Sequence, residues 1–118
     1  MVPYLKEKGV GVVNASVLCM GLLTPTGPPE WHPAPQELKD AAKKANELVV
    51  SRGENLPKLA QQYALADASM TSTLIGMKSV QEVEACAQNV NAKMDQELLN
   101  DVLEIFKPVH NMTWPSGN

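Results

Sequence analysis

From residue 36 onward the apolar positions recur with the period of an α-helix, interrupted by residues suited to helix ends. Leu38, Ala41, Ala42, Ala45, Leu48 and Val49 share one face of a helix predicted over residues 36–52, which Gly53 ends. Asn55 is placed to cap a shorter helix with an inner stripe of Leu56, Leu59, Ala60 and Tyr63, which assigns Tyr63 to the core. Ser79-Val80-Gln81-Glu82 has the form of a capping box, in which serine and glutamate each satisfy a free backbone donor. The helix it opens runs to about residue 92. Asp95 caps a last helix, where Leu98, Leu99, Val102, Ile105 and Phe106 share a face and Pro108 stops the run.

Elsewhere the period changes. Residues 2–8 read as the end of a helix closed by Gly9. Residues 11–15 form a short run without polar alternation, which suits a strand buried on both faces, and residues 70–75 are a second strand candidate closed by Gly76. Between the first strand and the first long helix, residues 24–35 hold Pro25, Gly27, Pro28, Pro29 and Pro33. That loop is too long and too stiff for a simple connector, and such loops often carry function.

Strands separated by helices form βαβ units, which imply a parallel sheet. Two parallel strands cannot cover their own faces and edges. A (β/α)8 barrel uses about 30 residues per unit. The 118 residues therefore read as one α/β piece, residues 1–118, of a (β/α)8 TIM barrel, with about two units and additions.

Composition narrows the function classes. The chain is 44% hydrophobic and 19% charged, as in ordinary globular proteins and too apolar for disorder. A net charge of −3 gives no electrostatic footprint for nucleic acid. The longest apolar runs, near Val10 to Val13 and Val17 to Leu23, fall far short of the roughly 20 residues a membrane span needs. Cys19 and Cys86 lie far apart without metal-ligand spacing, so a reduced, cytoplasmic protein with two free thiols is expected. No signal peptide is visible, so the triplets Asn14-Ala15-Ser16 and Asn111-Met112-Thr113 are read as chance matches to a glycosylation pattern.

No self-contained catalytic set emerges from the spacing. His32, beside Glu30 and Trp31, and His110 lack ligand partners, so no metal site is expected and His32 is read as an ordinary loop histidine. There is no G-x-S-x-G elbow, and Gly9-Val10-Gly11 lacks the third glycine and following helix of a dinucleotide fingerprint. The informative segment is Gly76-Met77-Lys78-Ser79, which joins a strand to a capped helix start. Backbone N–H groups and the helix dipole there favour a phosphate or other anion, and Lys78 adds positive charge. Many capped turns of this kind bind nothing, so the pattern leaves both readings open.

The same stretches carry a family resemblance. Gly11-Val12-Val13-Asn14-Ala15-Ser16-Val17-Leu18-Cys19-Met20-Gly21-Leu22-Leu23-Thr24 resembles the seventh strand and following loop of the aldo-keto reductases. Gly27-Pro28-Pro29-Glu30-Trp31-His32-Pro33, Leu59-Ala60-Gln61-Gln62-Tyr63-Ala64-Leu65-Ala66, Thr73-Leu74-Ile75-Gly76-Met77 and Met112-Thr113-Trp114-Pro115-Ser116-Gly117 resemble that family's plant L-galactose dehydrogenase branch. The resemblance covers essentially the whole chain. It implies the last two βα units of the barrel plus a C-terminal helix. It further implies an oxidoreductase that takes NAD or NADP as cofactor and oxidises a small sugar at C1 to a lactone, a step of ascorbate biosynthesis.

Family members use an Asp, Tyr, Lys and His tetrad that lies in the first half of the barrel and has no counterpart here, so no catalytic residue is expected in this chain. Tyr4 and Tyr63 belong to helix patterns and are not assigned that role. By position, Ser16, Leu18 and Gly21 match the loop along the nicotinamide and pyrophosphate, and Gly76, Lys78 and Ser79 match the turn that receives the adenosine phosphate end. Glu82 stands where the family has a polar or basic contact. Ala85 and Cys86 replace a Glu-Asn pair that hydrogen-bonds adenine, and Val17 replaces a proline. Each lost adenine partner costs on the order of 1–3 kcal/mol in an otherwise polar buried site. The expectation is a chain inactive alone that binds NAD poorly. The alternatives are a non-catalytic interaction module, associating through its exposed strand edges, and an unstable product without a role.

Overall fold

The structure, a computed structural model, describes residues 1–115, so Ser116 and Gly117 of the last matching motif lie outside the described residues. In chain order the elements are helix α1 (Val2–Glu7), strand β1 (Val13–Asn14), helix α2 (Gln36–Ser51), helix α3 (Leu56–Ala66), strand β2 (Ser72–Thr73), helix α4 (Val80–Asn91) and helix α5 (Gln96–Phe106). Short 3-10 turns at Cys19–Gly21 and Lys107–Val109 follow β1 and α5.

The helix ends obey local chemistry. Gly53, at φ +75, continues past α2 in the left-handed region, and the Gly53 and Glu54 amides bond back to Val50 and Val49 carbonyls at 3.0 and 3.1 Å. Asn55 accepts from the Lys58 amide, Ser79 from that of Glu82 and Asp95 from that of Leu98, so all three expected side-chain caps form. The expected reciprocal bond of the capping box does not form with the Ser79 amide; the carboxylate of Glu82 reaches one residue further back and accepts from the Lys78 amide at 2.8 Å.

The core is built by helices. One cluster joins Ala45 and Val49 of α2, Leu56 and Leu59 of α3, and Leu98, Leu99 and Val102 of α5. A second joins Leu22, just after the first 3-10 turn, and Ala34 of the breaker-rich loop to Leu38, Ala41 and Ala42 of α2 and to Val109. Leu23, Ile105 and Phe106 pack against both. Neither cluster contains a residue of β1 or β2.

The strands pair in parallel as expected, Val13 with Ser72 and Asn14 with Thr73. The expected burial on both faces is wrong. Each strand is two residues long, and Val13 is 56% exposed. A parallel pair is buried only where neighbouring strands and helices cover it, and no other strand among the described residues joins this sheet. The core assignment of Tyr63 also fails, since it is 54% exposed. Instead α3 turns Gln61 and Gln62 inward, where Gln61 donates to the Cys86 carbonyl and Gln62 to that of Ala92, tying α3 to α4 through polar bonds. No helix among the described residues is long and apolar enough to cross a membrane.

Burial of this kind places stability in the helices. Leu98→Ala is expected to lower the unfolding free energy by about 3 kcal/mol, as a buried leucine leaves a cavity. Val13→Ala should cost less than about 0.5 kcal/mol. Urea denaturation of the two variants checks the contrast, and comparable losses would refute it.

Candidate functional site

The loop after β1 turns sharply. Ser16, Cys19 and Met20 have φ of 60, 47 and 53, and Gly21 follows at φ 92. A non-glycine residue in this region costs on the order of 1 kcal/mol and persists only where its surroundings enforce it. Here backbone bonds close the turn on itself, Cys19 amide to Ser16 carbonyl at 2.7 Å and Leu23 amide to Leu18 carbonyl at 3.2 Å. Leu22 and Leu23 then anchor it in the helical core.

His32 supplies the brace. It is 3% exposed, between the rings of Trp31 and Trp114. Its Nδ1 accepts from the Ala34 amide at 3.1 Å, which leaves the proton on Nε2. Nε2 therefore donates to the carbonyl of Cys19 at 2.9 Å, in the strained turn itself. Lys39 of α2 donates to the His32 carbonyl at 2.7 Å and fixes the ring's own backbone. The expectation of an ordinary loop histidine understated its burial, which depends on Trp114 and the Cys19 carbonyl, contacts from other segments that the sequence pattern does not show. Burial pushes the Cys19 thiol up from its ordinary pKa, so the sulfur beside this turn is held as the neutral thiol. Among the described residues no group of three His, Cys, Asp or Glu side chains is placed to hold a metal ion.

Facing the turn is a cleft of about 350 Å³, between the loop, the start of α3 and the β2–α4 connection. Leu18, Gly76, Lys78 and Glu82 line it together. Ser79 lies just behind as the cap of α4. Ser16 borders a different opening, and Gly21 packs under the loop, where a Cβ would meet the Gly27 carbonyl oxygen at 3.5 Å. That other opening is larger, about 660 Å³, and lies between the end of β1 and helices α3 and α5. It is the gap between strand and helix layers and gathers no cation.

One wall of the smaller cleft is a polar network that the apolar pattern did not reveal. Asn89 donates to Gln61 Oε1 at 3.0 Å, while Gln61 Nε2 donates to the Cys86 carbonyl at 3.1 Å. Ala85 and Cys86 line the same wall. The sequence sign was a Gln-Gln pair following the apolar stripe of α3.

The fit of this cleft to an anionic nucleotide is mixed. A capped helix start with Lys78 beside it is the arrangement that receives a phosphate. Against that, Glu82 holds the Lys78 amide with its own carboxylate. The β2–α4 turn thus brings one cation, Lys78, and one carboxylate, Glu82, to the same cleft.

Comparisons with known proteins bear on the family and the fold. The model of the Aldo/keto reductase family matches residues 1–107. An L-galactose dehydrogenase from Arabidopsis thaliana is 53% identical over 99% of the chain and 38% of its own length. A D-arabinose 1-dehydrogenase from Saccharomyces cerevisiae is 27% identical over 90% of the chain and 35% of its own length. The fold superposes, with a TM-score of 0.65 and 19% identity, on a glycerol dehydrogenase from Gluconobacter oxydans, covering 100% of this chain and 40% of that one. The chain thus spans well under half of the relatives it matches, and its fold is part of a (β/α)8 barrel.

His32→Phe would strand the buried Ala34 amide and release the Cys19 carbonyl. The expected cost is about 2 kcal/mol, seen as a lower urea midpoint with unchanged helix content. An unchanged midpoint would show that the turn needs no brace.

Proposed function

Because the chain belongs to the aldo/keto reductase family, we propose that it is the C-terminal, cofactor-receiving portion of an NAD(P)-dependent dehydrogenase that oxidises a small sugar. The observation that carries this reading is the convergence of Leu18, Gly76, Lys78 and Glu82 on one cleft at the capped start of α4. Both named sequence relatives are sugar dehydrogenases, one of them acting at position 1, which supports an aldose oxidised at C1 to a lactone as the substrate chemistry. When bound, the dinucleotide would supply the hydride acceptor.

The chain's own residues divide the binding work. Lys78 and the backbone at the start of α4 meet the phosphate end. Ser79 holds that start in shape by accepting from the Glu82 amide at 3.2 Å. Leu18 and the strained turn, with Ser16 and Gly21 at its ends, shape the stretch toward the nicotinamide. Glu82 sets the preference between cofactors: its carboxylate accepts a ribose hydroxyl and repels a ribose phosphate, which favours NAD over NADP. The proton-transferring tetrad of the family has no counterpart in these 118 residues, so the chain binds and positions but does not catalyse alone. A plant setting follows from the same resemblance, and a cytoplasmic one from the two free thiols.

The isolated chain is expected to give no sugar-dependent reduction of NAD, and turnover above that of buffer would overturn this. Amide NMR signals of Gly76, Met77 and Lys78 are expected to shift on titration with millimolar NAD, and silence there would remove the cleft from the cofactor site. NADP should move them less in the natural chain and at least as far as NAD does in Glu82→Gln. An unchanged order between the two cofactors would refute the role given to Glu82.

A further inference from the structure

The polar wall of the smaller cleft has a direction. The Cys86 carbonyl can only accept a hydrogen bond, so Gln61 must turn its Nε2 toward it, at 3.1 Å. That leaves Gln61 Oε1, again an acceptor only, facing Asn89, which must therefore present its Nδ2, at 3.0 Å. Gln61 is 4% exposed, so the orientation is set inside the protein and passed outward to the half-buried Asn89. Asn89 keeps one unused N–H and an Oδ1 that receives no hydrogen bond from the described residues, and its side chain lines the cleft. Asn55, on the same cleft, has its oxygen committed to the Lys58 amide. Ala85 and Cys86 offer neither carboxylate nor carboxamide, and Asn89 stands one turn beyond Cys86 on the same side of α4.

We propose that Asn89, oriented by Gln61, reads the base of the dinucleotide and selects a 6-aminopurine over a 6-oxopurine. A carboxamide with one acceptor and one donor side by side matches the amino group and the neighbouring ring nitrogen of adenine. Hypoxanthine carries a carbonyl oxygen in place of that amine, and the oxygen would face Asn89 Oδ1, acceptor against acceptor. The Asn89 carboxamide cannot turn over to accommodate it, because the turn would set its Oδ1 against Gln61 Oε1. Gln61 is locked in its turn by the Cys86 carbonyl. From Val80 to Asn89 the axis of α4 rises about 14 Å, a span that an extended adenosine diphosphate bridges from a phosphate near Lys78. The charge that draws the nucleotide in stays at Lys78, and Asn89 adds selection at the far end. This assignment deepens the cofactor reading of the cleft and rests on it.

The test is NMR titration of the full 118-residue chain with NAD and with nicotinamide hypoxanthine dinucleotide, which differs at the 6-position of the purine. The side-chain amide signals of Asn89 and Gln61 are expected to shift with NAD, at a concentration about ten-fold lower than with the hypoxanthine analogue. Asn89→Ala should bring the two dinucleotides within about two-fold of each other. Gln61→Leu, which frees Asn89 to turn over, should also erase the difference, with helix content unchanged in circular dichroism. Asn91→Ala removes a carboxamide of α4 that bonds to the Ala87 carbonyl outside the cleft, and should leave the difference intact. Shifts at Gly76 to Lys78 with equal affinity for both dinucleotides, or a preference that survives Asn89→Ala, would overturn the assignment and leave the cofactor reading standing. Silence at Gly76 to Lys78 with NAD would remove the cofactor reading, and this assignment with it.

Discussion

Parallel strands hydrogen-bond on both edges and expect side chains from other layers on both faces, so a pair of them is stable only inside a larger assembly. That requirement shapes this molecule more than any single contact. β1 and β2 meet in the right register, yet contribute nothing to either apolar cluster. The helices, by contrast, pack on one another: α2, α3 and α5 bury leucine and valine residues in a cluster that includes no residue of the sheet. The result is a helical core with a sheet attached at its margin, and the opening of about 660 Å³ between the two layers is its visible sign.

The separation explains how a loop with several left-handed residues keeps its shape on so small a sheet. Strand β1 leads into the turn, but the turn is held from the helical side. Leu22 and Leu23 enter the clusters, and His32 holds the Cys19 carbonyl while Lys39 of α2 holds His32. Several residues in left-handed conformations are maintained by this brace. Leu18 reaches the cleft because its neighbours are fixed to α2. The cleft is thus positioned by contacts that the helical core provides, while the outer edges of the sheet stay open.

Most of the architecture was legible in the sequence because it is local. Capping residues at Asn55, Ser79 and Asp95, the stop at Gly53 and the stripes of α2 and α5 are decided within a turn or two of helix, and each formed as read. Parallel pairing followed from the alternation of strands and helices. What failed was burial that depends on absent neighbours. An unbroken apolar run reads as a strand covered on both faces, but Val13 has nothing to cover it. Tyr63 misled for a related reason: its stripe was apolar, while the face of α3 that packs is set by Gln61 and Gln62 bonding to α4 carbonyls. Polar networks across elements leave little trace in periodicity. The braced histidine and the left-handed turn were likewise invisible, since both depend on distances between segments.

The electrostatics of the cleft show how far the local chemistry of the β2–α4 turn has been settled within the chain. A helix start attracts anions through its unpaired amides, and the first anion to arrive here is the protein's own. Glu82 lies one turn into α4, takes the Lys78 amide, and gives its own amide to Ser79, so the bonds that stabilise the helix start also remove a donor from any phosphate. Gln61 and Asn89 likewise satisfy each other and the Cys86 carbonyl. The attraction left for a ligand is concentrated on the Lys78 ammonium and the remaining backbone of the turn. A nucleotide bound there gains most when it leaves those capping bonds intact and offers Glu82 a hydroxyl, and gains least when it brings a second negative charge to a carboxylate already seated.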